Sequence, residues 1–117
     1  TLNNYAYYLS IRKEKLELAE KMSKQSLDIQ PNSKSFLDTY GWIFFQQGKY
    51  EKAKEYIEKA IKAGGEEDGT LYEHLGDVYY KLNEINKAVE NWIIAKQKGE
   101  DTNILNKKLN DKKWYEE

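Results

Sequence analysis

His74 is the chain's single imidazole, and no cysteine is present to pair with it. One histidine cannot make a histidine pair for a metal, and the sequence spells out no Ser-His or Cys-His dyad. A lone histidine on a helix is read here as structural or solvent-exposed. The remaining chemical capacity lies in carboxylates and amines. Glu66, Glu67 and Asp68 form an acidic run, and paired carboxylates can move protons when one is buried and its pKa raised. These three sit among Gly64, Gly65 and Gly69, a turn composition that buries nothing, and they lack the alternating ligand spacing of a calcium loop. Gly64-Gly65 closes a periodic segment where a phosphate loop would open one. Lys107-Lys108 and Lys112-Lys113 beside Trp114-Tyr115 are the residue types of a nucleic-acid or membrane patch. Asp111, Glu116 and Glu117 lie among them, so a solvated helix end is expected. The sequence predicts no enzyme, no cofactor and no metal site.

Charge and composition narrow the class further. The 117 residues carry 19 Lys+Arg against 20 Asp+Glu, a formal net charge of −1. That balance disfavours a nucleic-acid binder held by phosphate contacts. Three Trp and ten Tyr are more aromatics than disordered chains carry, so a sizeable core is expected. No apolar run approaches the roughly 20 residues that span a bilayer. With no cysteine, the redox compartment stays open.

The elements follow from period and punctuation. Apolar residues recur at helical spacing over about 2–12, 15–29, 34–47, 50–63, 70–82, 85–98 and 102–112, with one Pro, Pro31, in the whole chain. Gly48 and Asn83 sit where left-handed C-terminal residues are wanted. Asn32 or Ser33, Thr70, and Asp101 or Thr102 are candidate N-caps. Against itself the sequence shows one dominant offset. Gly41 and Gly76, Phe44 and Tyr79, Ala53 and Ala88, Ile57 and Trp92, and Ala60 and Ala95 are all 35 apart. Tyr5, Ala6 and Leu9 precede Tyr40, Gly41 and Phe44 by the same step, while Ala19 to Ala53 and Ser26 to Ala60 fall one short. One extra residue near Arg12, Lys13 and Glu14 accounts for the slip. Three helix pairs in register result. Gly inside a helix costs roughly 0.5–1 kcal/mol against Ala, so Gly41 and Gly76 imply close approach of a partner helix, with Ala53 and Ala88 as its small surface.

The block Tyr40-Gly41…Phe44…Gly48…Tyr50…Ala53…Ile57…Ala60, and again Leu75-Gly76…Tyr79…Ala88…Trp92…Ala95, resembles the tetratricopeptide repeat, a helix–turn–helix unit of about 34 residues. Leu27-Asp28-Ile29-Gln30-Pro31-Asn32 is similar to that family's inter-repeat turn. Departures are Ala6 for Gly and Ser26 for Ala in the first repeat, and a second linker without Pro. The fold this implies is an all-α, right-handed α-solenoid forming one domain over 1–117, with repeats at about 1–32, 33–67 and 68–100 and a capping helix at about 101–113. That helix, with Ile104, Leu105 and Leu109 on one side and lysines elsewhere, resembles the polar end cap that stacked repeats need. Thr1 is not Met and periodicity begins at Leu2, so the expectation is the C-terminal part of a longer protein. Resemblance to bacterial repeat proteins, including exported lipoproteins, implies a periplasmic or outer-membrane location, with the cytoplasm as the alternative.

In that family the first helix of each pair lines a concave groove that takes a segment of a partner protein. The resemblance places Asn3, Tyr7, Asp38, Trp42, Phe45, Gln46, Glu73, Asp77, Tyr80 and Lys81 on that surface. Tyr40 and Phe44 take the core-facing positions of their helix, so Trp42 and Phe45 are expected off the buried stripe as exposed anchors. Asp38, Glu73 and Asp77 favour a neutral or basic partner. Some family members clamp acidic C-terminal tails with Lys, Asn and Arg. The corresponding positions read Asn3, Tyr7, Thr39, Thr70 and His74, where Tyr7, Thr70 and His74 replace the Asn, Lys and Arg on which that clamp relies for charge-assisted donors. The function implied is a protein–protein interaction scaffold. The alternative is a structural module packing on upstream repeats or on a second copy.

Overall fold

The computed structural model describes residues 2–13 and 15–116, and all regular structure among them is helical. Seven helices follow in order: α1 Leu2–Arg12, α2 Leu16–Ile29, α3 Lys34–Gln46, α4 Tyr50–Ala60, α5 Gly69–Lys81, α6 Ile85–Gln97 and α7 Asn103–Asp111. These are the seven that periodicity predicts. α4 runs on into a wide terminal turn, Ile61–Gly65, where Ala63 and Gly64 leave helical backbone angles. Of the residues around the expected insertion, Lys13 has a left-handed backbone (φ 56°), as does nearby Lys15 (φ 48°), while Glu14 lies outside the described residues.

The helix ends have local causes. Gly48 (φ 79°) and Asn83 (φ 64°) take the left-handed conformation after α3 and α5. In both places the next amide turns back on the helix, Lys49 N–H donating to Phe44 O at 2.8 Å and Glu84 N–H to Tyr79 O at 2.9 Å. The lost carbonyl partners of a helix end are thereby recovered. Ser33 Oγ accepts from Phe36 N–H, and Thr102 Oγ1 from Leu105 N–H, as expected of N-caps. For α5 the expectation is corrected: Asp68 is the cap, its Oδ1 accepting from Thr70 N–H at 3.1 Å. Thr70 already lies inside α5, which begins at Gly69, so the cap falls to the residue before it. Of the acidic run, Asp68 thus caps α5 and Glu67 pairs with Lys98 at 2.7 Å.

The chain divides into two compact units, residues 1–65 and 66–117. In the first, α1 packs on α2 and α3, α2 on α3, and α3 on α4. In the second, α5 packs on α6 and α6 on α7. The recurring small residues lie at the seams. A Cβ at Gly41 would stand 2.9 Å from Ile57 Cγ1 and 3.2 Å from Ala53 O. A Cβ at Gly76 would strike the Trp92 indole and come within 3.0 Å of Ala88 O. Ala53, Ala88, Ile57 and Trp92 are fully buried, so each pair closes with small residues against a large knob on the facing helix. Ala95 shares a core cluster with Leu105, which seats α7 against α6.

Candidate functional site

The candidate residues divide between the two units. In the first, Asn3 and Tyr7 stand one helical turn apart on α1, and Asp38 and Trp42 occupy the same two repeat positions on α3. Asn3 is buried, and its Oδ1 accepts no hydrogen bond among the described residues. A buried acceptor left unpaired costs about 1–3 kcal/mol. Tyr7 stands at the edge, about a third exposed. Asp38 and Gln46 are half-buried.

Trp42 and Phe45 are not exposed anchors. They are 8% and 5% exposed and stack on each other with ring centres 4.4 Å apart and planes 8° from parallel. Tyr50 meets the Phe45 ring edge-on at 5.5 Å. The expectation assumed a single buried stripe on α3, whereas α3 has α1, α2 and α4 against it and is buried on more than one side. These rings therefore support the α3 face from within.

Sequence reasoning missed the apolar surface that is exposed. Leu2, Tyr5, Tyr8 and Ile11 of α1 lie open, with Tyr5 and Tyr8 stacked at 6.2 Å and the Arg12 guanidinium 5.4 Å from the Tyr8 ring. Their repeat equivalents Leu37, Tyr40 and Ile43 are buried, and α2 packs against α3 there. The 35-residue step carries this signal, since it makes α1 the one helix of that type with no α2-like predecessor among the described residues. Elsewhere in this unit a cleft of about 400 Å³ is lined by Lys24, Leu27, Leu37, Tyr40, Tyr56 and Lys59, among others.

In the second unit, Glu73, Asp77, Tyr80 and Lys81 of α5 meet residues of the C-terminal segment or of α6. Lys108 Nζ lies 2.7 Å from Glu73 Oε2 and 3.0 and 3.2 Å from the two oxygens of Asp77. All three side chains are buried. Trp92 Nε1–H donates to Asp77 Oδ1 at 3.0 Å and fixes that carboxylate. Burial pushes Asp77 up to about 6, against the opposing pull of Lys108 and His74. Burial also works against the charge of Lys108, but Asp77 and Glu73 outweigh it and hold the ammonium above its ordinary range. Glu100 is raised as well, chiefly by burial, with Glu73 adding to it. Two expectations are corrected here. Glu73 and Asp77 do not present free charge to a partner, and Lys108 is no solvated cap residue, because α7 turns it inward between them. Tyr80 stacks on Trp92 at 6.1 Å, and the Lys81 ammonium lies 3.9 Å from the Trp114 ring centre. His74 is buried too.

No helix among the described residues is long and apolar enough to cross a membrane. The arrangement holds one cation between two buried carboxylates and builds a surface from helix faces.

Residues 35–63 match the family model described as Tetratricopeptide repeat. Mouse aspartyl/asparaginyl beta-hydroxylase is 32% identical over 76 residues, covering 63% of this chain and 10% of that protein. Anaphase-promoting complex subunit CDC16 of Saccharomyces cerevisiae is 32% identical over 81 residues, covering 64% of this chain and 10% of that protein. The chain thus spans about a tenth of these relatives, and matches of that extent transfer no activity. The Sgt2 TPR domain from Aspergillus fumigatus superposes with a TM-score of 0.84 at 18% identity, over 95% of this chain and 74% of that one. The first TPR of Spaghetti (RPAP3), bound to the HSP90 peptide SRMEEVD, gives 0.84 at 13% identity, over 95% and 86%.

Proposed function

We propose that this chain, a tetratricopeptide repeat protein, is a protein-interaction module that holds a segment of a partner on the first helices of its repeats. The observation that carries this is the likeness of its fold to a repeat domain holding a peptide, at a TM-score of 0.84 over 95% of the chain. Within the first unit, the α1 and α3 positions Asn3, Tyr7, Asp38 and Gln46 form the working surface, with Trp42 and Phe45 as its rigid floor. Asp38 on this face, with no lysine or arginine at the clamp positions, favours a neutral or basic segment over an acidic tail.

A peptide-display selection against the intact chain, followed by calorimetry of the selected peptide, tests this. Tyr7→Ala and Asp38→Ala are expected to weaken binding about tenfold or more, while Lys52→Ala at an exposed position of α4 leaves it unchanged. Equal affinity in all three variants overturns the assignment of the surface. A second reading, self-association, is favoured by one specific observation, the open Leu2, Tyr5, Tyr8 and Ile11 stripe. Size-exclusion chromatography over a concentration series distinguishes the two. A dimer that dissolves on Tyr8→Lys supports self-association; a monomer at every concentration supports the peptide-holding module.

A further inference from the structure

The C-terminal segment meets three of the four α5 residues that sequence assigned to a partner. Lys108 takes Glu73 and Asp77, and Trp114 covers Lys81. Tyr80 packs on the cluster built from Trp92, Ala95 and Leu105, which Leu109 and Trp114 also join. Lys108 stands 35 residues after Glu73, so α7 presents a cation at the repeat position where α5 carries an anion.

We infer that residues 101–116 are a built-in occupant of the α5 face, and that the partner able to replace them is a helix bearing lysine beside leucines, as Leu105, Lys108 and Leu109 are arranged. The inference rests on the peptide-holding reading and gives its partner a chemistry. Three features support exchange. α7 has nine residues, and a helix shorter than about 12–15 is marginal in water, so its helicity comes from docking. It is joined to α6 through Gly99, whose φ is 106°, and through Glu100–Thr102, which form no helix. The surface it covers carries Glu73 and Asp77 of α5, both bonded to Lys108 of α7, and Glu100 of the linker adds its charge beside Glu73. His74 of α5 is the other titratable group whose charge acts on Asp77. Such a surface rejects acidic tails and accepts a cation flanked by apolar residues.

Hydrogen exchange on the intact chain at neutral pH is the first test. The α7 amides are expected to exchange about 100-fold faster than those of α5 and α6, through opening of the segment alone. Exchange of α7 together with α5 and α6 makes it fixed core and overturns the inference. The second test adds a fluorescein-labelled peptide of residues 101–116 to the intact chain and to its Lys108→Ala variant. The peptide is expected to bind the variant at least about tenfold more tightly, because the internal competitor is weakened, and to lose at least about tenfold when its own lysine becomes alanine. Binding indifferent to that lysine, or absent from both proteins, overturns the inference. Should Lys108→Ala fail to fold, exchange on the unmodified chain still decides. If these tests fail while selected peptides still respond to Tyr7→Ala, the peptide-holding reading stands and only the built-in occupant is lost.

Discussion

Lys108→Met asks how much the buried cation contributes. The methionine keeps most of the side chain's volume and removes its charge, leaving Glu73 and Asp77 facing each other at 5% and 2% side-chain exposure. Removing one partner of a buried ion pair typically costs about 3–5 kcal/mol. The loss depends on pH in a calculable direction. Asp77, already held at about 6 by burial, must rise further without the ammonium, and each added pH unit corresponds to about 1.4 kcal/mol. At pH 7 the pair then folds only by taking up a proton or by exposing itself, and the full cost is expected. At pH 5 the proton is readily available, and the cost should shrink to about 1–2 kcal/mol. Urea unfolding of both proteins at pH 5 and pH 7, followed by circular dichroism, measures this. Adding Asp77→Asn to Lys108→Met should recover much of the loss at pH 7, because the uncompensated charge is then gone. A cost below about 1 kcal/mol at pH 7, or one that is equal at the two pH values, refutes the buried-charge reasoning.

Three further outcomes are expected. Gly76→Ala gains about 1 kcal/mol of helix propensity, but its Cβ strikes the Trp92 indole; overpacking costs about 1–3 kcal/mol, so thermal unfolding should show a net loss. Ala53→Leu, at a fully buried seam against α3, should lose about 1–3 kcal/mol by the same mechanism, and a neutral result would remove Ala53 from the seam. For Asp77, the folded-state pKa of about 6 lies above the ordinary 3.8, so the fold prefers the protonated acid. Its stability contribution is present below about pH 4 and lost as pH rises through 6. Relative to Asp77→Asn, the unmodified chain should therefore lose stability between pH 4 and 6, and a difference that grows with pH would contradict the assignment.

The helix pairs were legible in the sequence because their cause is local and periodic. Gly41 against Ala53 and Gly76 against Ala88 recur at one step, and the fold brings each glycine against the helix that carries its alanine. The site was less legible. Trp42 and Phe45 read as exposed because helical period assigns one buried stripe, and it does not count how many helices surround α3. Lys108 read as solvated because charge at a helix position usually is, yet the 35-residue step from Glu73 to Lys108 held the clue: opposite charges at equivalent repeat positions. Thr70 lost the α5 cap to Asp68 through a two-residue difference that composition cannot resolve.

The peptide-holding role is tested most directly by amide chemical-shift mapping of the intact chain with a display-selected peptide. Changes concentrated at Asn3, Tyr7, Asp38 and Gln46 on α1 and α3 are the predicted result. Changes confined to the cleft around Lys24, Tyr40, Tyr56 and Lys59, with Asn3, Tyr7, Asp38 and Gln46 silent, would contradict it.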